Sequence, residues 1–429
     1  MQRRDFISKL ATAASWGSLA GIAPAALLAQ DNFSDKLLFC LQLQGGLDVT
    51  SYCDPKTNQA GEAEISNWSR SSDIQTAGNL SYAPVANNSF MFDRYYQDML
   101  VINGVDAQTN SHTVGVTNNW SGRNSDGYPS LTALYAASTA PSLPLAYLNF
   151  GGFGNTQSLI RSSRISNIAQ LTNILFPNDY QYSAKQYHSN GDFERIRALQ
   201  LRTAQRLAAQ TNMPAGQRKN RQIFVEALTR VDGLGDFANS IPQASELQGS
   251  RVVTQNLTSS LHQQMQVSLL AMKSGVTVAV DLLEGGFDSH QDHDMIHAAL
   301  LTNLNNAIDY FWTYAEQLGL ADRIVLVMGS DFGRTPKYNS GAGKDHWPVG
   351  SYIIMERNAH FTNRVFGETD AGHSTYPVNL ETGRQDYVNG VALHPKHIHL
   401  ALRKYLGIQG NQYASSFPLD RTEDFAFFS

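Results

Sequence analysis

Apolar residues in this chain come in short unbroken runs, and three of those runs are closed by glycine and then by an acid. Leu37 to Leu43 leads into Gly45-Gly46-Leu47-Asp48, the run from Val276 into Gly285-Gly286-Phe287-Asp288, and Ile324 to Met328 into Gly329-Ser330-Asp331. Runs of this length, rich in β-branched and leucine side chains, predict strands buried on both faces. Shorter runs at Met99–Asn103, Leu145–Phe150 and Tyr352–Met355 predict further strands. Between the second and third acidic loops, Ile296, Leu300, Leu304, Ile308, Phe311 and Ala315 recur three or four apart, which lays an apolar stripe along a helix. Strand, helix and strand over this distance form a crossover that makes the two strands parallel. Helical spacing also marks 192–209, 217–231 and 251–272, so 166–273 reads as a mainly helical insertion or cap. The polar stretch 52–88 reads as a long surface loop partly covering the acidic loops. The fold class is therefore α/β, with a central, mostly parallel sheet flanked by helices.

Parallel strands bring their carboxyl ends to one edge, where open α/β sheets place their sites. The second acidic loop crowds three Asp and two His into residues 288–294, including His290 and His293. A glycine-rich loop after Arg334 adds Lys344, Asp345 and His346. Ser111-His112-Thr113 stands at a helix start, where a hydroxyl serves as an N-cap or, beside an anion site, as a nucleophile. Each of these alone is an ordinary turn or cap; their shared position at strand ends makes a site. The metal set is Asp48, Asp288, His290, His293, Asp331 and His346. Carboxylates and imidazoles without thiolates suit a divalent ion, zinc first, with manganese, iron or calcium as the other choices. Arg334 and Lys344 are the candidate partners for an anionic ester, and Ser111, Thr113 or His112 the candidate reacting groups. The His394, His397 and His399 cluster lacks partnering carboxylates and reads as a surface or capping group.

A net charge of −5 with 16% charged residues gives no overall basic signature, which sets nucleic acid aside as a partner. The two cysteines, Cys40 in a strand run and Cys53 in a loop, make no disulfide framework. At the N-terminus, Arg3-Arg4 precedes a weakly apolar stretch rich in Ala and Gly up to Ala29. This is the layout of a twin-arginine export signal, 1–29, too diluted by Ser, Gly, Pro and Thr for a stable membrane span. The mature chain, 30–429, is expected in the periplasm or at the cell surface of a bacterium, after handling by the twin-arginine translocation machinery.

The ordered motifs Gly45-Gly46-Leu47-Asp48, Phe287-Asp288-Ser289-His290, Ser330 to Thr335 and Gly343 to His346 resemble those of the bacterial family called domain of unknown function 1501. That family is exported by twin-arginine signals and belongs to the alkaline phosphatase and sulfatase superfamily. The resemblance implies an alkaline phosphatase-like fold and a metal-dependent hydrolase of phosphate or sulfate esters, small or polymeric. It implies Asp48 as first-strand ligand, Asp288 with His290 or His293 as ligands, Asp331 as the next acid, His346 as the late histidine, and Ser111 or Thr113 as nucleophile. Phe332 stands where phosphatases carry a histidine, and Cys53-Asp54-Pro55-Lys56 lacks the Ser-Arg of the sulfatase cysteine signature. The departures keep a second reading open: a non-catalytic envelope protein that binds a polysaccharide or a protein partner.

Overall fold

The computed structural model describes residues 35–68, 74–165, 168–180, 185–229, 232–242 and 245–429. The expected export signal, 1–29, lies outside the described residues. Eight strands build the main sheet: β1 (Leu37–Leu43), β2 (Met99–Asp106), β3 (Tyr147–Asn149), β4 (Ser162–Arg164), β5 (Ala279–Glu284), β6 (Ile324–Ser330), β7 (Val349–Met355) and β8 (Arg364–Phe366). Their order is β8-β2-β7-β6-β1-β5-β3-β4. Every neighbouring pair is parallel except the two that involve β7, which therefore runs alone against the rest.

β5 and β6 are parallel, as the crossover requires, but they are not neighbours. β1 lies between them, pairing Cys40 with Asp281 on one side and with Val327 on the other. All seven residues of β1 are buried, which explains its unbroken apolar run. This insertion sets the three acidic loops side by side, since β1, β5 and β6 end together.

The helices described here include α1 (His112–Ser121), α2 (Leu131–Thr139), α3 (Asn190–Ala208), α4 (Ala215–Thr229), α5 (Leu261–Lys273), α6 (His293–Gln317) and α7 (Pro395–Tyr405). α6 buries the predicted stripe beyond its first turn: Leu300, Leu304, Ile308, Phe311 and Ala315 are fully buried, while Ile296 is partly buried. Each such large side chain is worth roughly 1.5–3 kcal/mol of apolar burial.

Three segments differ from the sequence reading. Residues 251–259 were expected to be helical but form a hairpin, Arg251–Thr254 with Leu257–Ser259, before α5 begins. The β-branched Val252, Val253 and Thr254 fit a pleated strand better than a helix. The stretch after Tyr52 is more than a surface loop, because Tyr52, Cys53, Leu80 and Tyr82 are buried in the core and Gln75–Tyr82 folds as a hairpin. Cys40 and Cys53 are both buried free thiols. The C-terminal histidines do cap a helix, with His397 Nδ1 accepting from the His394 N–H, yet His397 and His399 are buried and not at the surface.

Candidate metal centre

The glycines of the β1 loop are required by what passes over them. Gly45 and Gly46 have φ of +117° and +89°, and a Cβ on Gly45 would lie 2.4 Å from the Asp288 backbone nitrogen. This close approach turns the two N–H groups toward the end of β6, where both donate to the Asp331 carboxylate, at 3.1 Å and 2.7 Å. Ser330 Oγ adds a third donor at 2.9 Å. α1 is clamped to the same place: a Cβ on Gly115 would meet the Asp331 carbonyl at 2.3 Å, and Asn119 donates to that carbonyl. His112, the first residue of α1, is thereby brought over the strand ends, and its Nδ1–H donates to Asp331 at 2.5 Å.

Two further imidazoles converge from other loops. His346, paired with Arg334 in a two-residue ladder, donates from Nδ1 to the Asn110 carbonyl at 2.8 Å. His290 donates from Nδ1 to Asp345 at 2.8 Å, a bond that holds the Asp345 carboxyl below its ordinary range. In all three rings Nδ1 faces an oxygen that only accepts, so Nδ1 carries a proton and Nε2 is left to face Asp288.

The three Nε2 atoms point at Asp288. His290 and His346 approach its Oδ1 at 3.0 Å and 3.2 Å, and His112 approaches Oδ2 at 3.5 Å. His290 and His346 also face each other Nε2 to Nε2 at 3.1 Å. Buried His112 Nε2 has no hydrogen-bond partner. One ligand atom from each of His112, Asp288 and His346 falls within 4.8 Å of the others. Donors bound tetrahedrally at about 2.0 Å from a zinc ion stand about 3.3 Å apart, close to these separations. The donor set thus fits a divalent cation. Burial works against the charge of Asp288, but the hydrogen bond and charge of Arg334 outweigh it and hold its carboxyl down to about 2. The carboxylate is ready as an anion.

Phe332, standing where a phosphatase-like histidine was expected, is a wall: its ring lies 4.7 Å from both the His112 and the His346 ring. The imidazole that the sequence reading missed as a ligand is His112, which was considered only as a reacting group beside two hydroxyls. The signal was present in its place at a helix start over the strand ends.

Asp48, His293 and Lys344 form a different assembly. Fully buried Asp48 accepts from Lys344 Nζ at 2.7 Å, His293 Nε2 at 2.8 Å, Ser51 Oγ at 2.8 Å and the Thr50 N–H at 3.0 Å. Burial opposes its charge, and Lys344 with His293 more than compensates, holding the carboxyl well below the usual range. Ser289 Oγ links His293 Nδ1 to His297 Nδ1, and His297 Nε2 accepts from the Asp48 N–H at 3.2 Å. Every ring nitrogen in this chain of contacts has a partner, and burial favours both imidazoles neutral. Asp48 and His293 make no hydrogen bond to Asp288 or Asp331 among the described residues, so the expected six-residue metal set divides in two.

Asp331 serves as the carboxylate that orients His112 and is occupied by its donors. Lys344 is fully buried on Asp48 and Thr50, and the equally buried Arg334 binds the carbonyls of Gly45, Gly46 and Lys344 as well as Asp288. Both were expected to neutralise ester oxygens; burial commits them to the framework instead. Ser111 and Thr113 flank His112 and are exposed.

The family model described as a protein of unknown function (DUF1501) matches residues 35–379. The chain belongs to that family. No curated protein matches the DUF1501 chain. Among solved structures it is similar to Ps i-CgsB in complex with k-i-k-neocarrahexaose, at 8% identity and a TM-score of 0.41, covering 92% of this chain and 75% of that one. It is also similar to the PsFucS1 sulfatase from Pseudoalteromonas sp., at 10% identity and a TM-score of 0.39, covering 99% and 75%. A third is the phosphonate monoester hydrolase of Agrobacterium radiobacter, at 9% identity and a TM-score of 0.35, covering 87% and 74%. Identities this low leave the chemistry to be read from the side chains themselves. No helix among the described residues is long and apolar enough to cross a membrane.

Proposed function

We propose that this DUF1501 chain is a metal-dependent hydrolase of phosphate or sulfate esters, exported by the twin-arginine route to the periplasm or cell surface. The observation that carries the reading is the set of three imidazoles, each with Nδ1–H committed to an oxygen, that turn Nε2 toward one carboxylate. His112, Asp288 and His346 would hold the ion, with His290 beside them. Such an ion supplies Lewis acidity toward an ester oxygen.

The chain's own residues do the rest. Asp331, Asp345 and the Asn110 carbonyl fix the three tautomers, and Phe332 fixes the ring planes of His112 and His346. The first turn of α1 offers N–H groups that lack intrahelical partners, which favours an anion there. Ser111 and Thr113, on either side of His112, are the hydroxyls this reading assigns to attack. Zinc is the ion that the donor set suits best, ahead of manganese, iron and calcium.

The second reading, a non-catalytic envelope protein that binds a polysaccharide or a protein partner, has its own support. Arg334 and Lys344 are both spent on internal contacts, which leaves an ester with fewer cationic partners than the motifs promised. The test is turnover of aryl phosphate, phosphodiester and aryl sulfate substrates by protein purified with zinc or manganese, with His346→Ala in parallel. Turnover lost in the variant supports the hydrolase; ion binding without turnover of any substrate supports the second reading.

A further inference from the structure

Charge is distributed unevenly along the chain. Residues 190–229, the antiparallel pair α3 and α4, carry seven Arg and Lys against three Asp and Glu, a net of +4, which leaves −9 for the rest of a chain whose total is −5. The pair is also the least buried helical part of the molecule to be described: α3 fully buries only Ala204, and α4 only Val225.

Three of the four arginines of α3 share a row; the fourth, Arg197, stands off it, 4.0 Å from Glu194. Arg195, Arg202 and Arg206 are seven and four residues apart, which at helical period sets them in one row, and Leu199 falls in the same row between the first two. Arg195, Arg202 and Arg206 are exposed, and Leu199 is 59% exposed, unusual for a leucine of a helix. The row runs for about 16 Å at the α-helical rise. Of the two acids of α3, Asp192 meets Arg195 at 3.2 Å, but both side chains are more than half exposed, so the pair is weak and open to exchange.

We infer that this row is a docking strip for an anionic polysaccharide, a polymer whose sulfate or phosphate esters alternate with uncharged ring faces. The spacing supports that partner over others. Guanidinium groups separated by one and two helical turns match charges separated by sugar rings, and Leu199 offers an apolar surface to a ring face between them. A membrane surface would need a broad apolar face on the helix, whereas only Ile196 and Leu199 among its large apolar residues are exposed. A duplex nucleic acid carries about one charge per 1.7 Å of its axis and offers no uncharged ring face between charges for Leu199 to meet. The inference deepens the ester-hydrolase reading, since it names a polymer as the substrate class. The binding it concerns is measured without turnover.

The experiment compares the full mature chain with the triple variant Arg195→Ser, Arg202→Ser, Arg206→Ser for binding to dextran sulfate and to uncharged dextran at several salt concentrations. The expected result is binding of dextran sulfate only, weakened about tenfold or more in the variant, with a shallower salt dependence because fewer charges are neutralised. Leu199→Ser alone should weaken binding about two- to fivefold without changing the salt slope. Metal content and hydrolysis of a small aryl ester should be the same in all forms, which separates failure of the strip from failure of the hydrolase reading. Equal binding of dextran sulfate by the triple variant would overturn the inference. So would tighter binding to phosphatidylglycerol vesicles or to duplex DNA than to dextran sulfate, since either names another partner.

Discussion

Two clusters of carboxylate and imidazole lie at the same ends of the same strands, each with a buried cation on its acid, Lys344 on Asp48 and Arg334 on Asp288, but only the first is sealed. Around Asp48 the protein supplies its own cation: the Lys344 ammonium sits in the carboxylate, two hydroxyls and an imidazole fill the remaining directions, and the histidines beyond it pair nitrogen by nitrogen. Around Asp288 the imidazoles are oriented just as firmly, yet their inward nitrogens face one another and a half-exposed carboxylate. A buried carboxylate with an internal cation is complete. Imidazole nitrogens that converge on a half-exposed carboxylate are a candidate site for a cation.

The largest expected effect breaks the closed cluster. Lys344→Met removes the counter-ion of a fully buried carboxylate and should destabilise the fold by about 3–5 kcal/mol, read from denaturant unfolding. A loss below about 1 kcal/mol would mean that Asp48 is not held by this pair. The open cluster should behave in reverse. Excess zinc should raise the unfolding free energy of the wild type by about 2.7 kcal/mol at 100 times the dissociation constant, and a chelator should remove that gain. His346→Ala should abolish the zinc-dependent gain while changing the metal-free stability little, because His346 is partly exposed.

Asp331→Asn tests the device that connects His112 to the strand ends. It keeps an oxygen for the Gly45 and Gly46 N–H groups but weakens the hold on His112 Nδ1, so zinc affinity should fall by about 10–100-fold, measured by competition with a chelating dye. An unchanged affinity would remove His112 from the ligand set.

A third acid sharpens the contrast at the smallest scale. Asp281, in the middle of β5, is buried with only neutral partners, Thr132, Tyr147 and Asn149. Burial without a cation pushes its carboxyl up to about 7, opposite in direction to Asp48. Its unfolded value is about 3.9, so the stability tied to the protonated form is present below about pH 4 and is lost as pH rises through about 7. Asp281→Asn should therefore flatten the fall in melting temperature between pH 5 and 8. An equal fall in both proteins would show that Asp281 is ionised throughout.

The central strands β1, β5 and β6 were legible because they are buried and read as apolar runs that lead into glycine and an acid, whereas the short edge strands β4 and β8, which carry arginine and partly exposed positions, gave no such run. The meeting of three acidic loops was legible for the same reason. What could not be read was which acid is sealed off, since both keep an internal cation, Lys344 for Asp48 and Arg334 for Asp288. Asp48 and Asp288 both follow Gly-Gly one residue removed, and nothing local separates them; the difference is that Asp48 is sealed together with Lys344, from far along the chain, while Asp288 stays half-exposed on the buried Arg334. The same applies to Arg334, which looked free for substrate until the close passage of the Gly45 and Gly46 carbonyls gave its guanidinium a full set of partners. His112 was overshadowed by the hydroxyls on either side of it, since a serine or threonine at a helix start has a ready explanation and an imidazole there has none until Asp331 is seen beneath it.

The measurement that bears most directly on the open cluster is the amount of zinc bound per chain, determined by elemental analysis after dialysis, for the wild type and for the double variant His112→Ala, His346→Ala. The account predicts one ion per chain in the wild type and none in the folded double variant. A wild type that retains no ion, or a double variant that retains as much as the wild type, would contradict it.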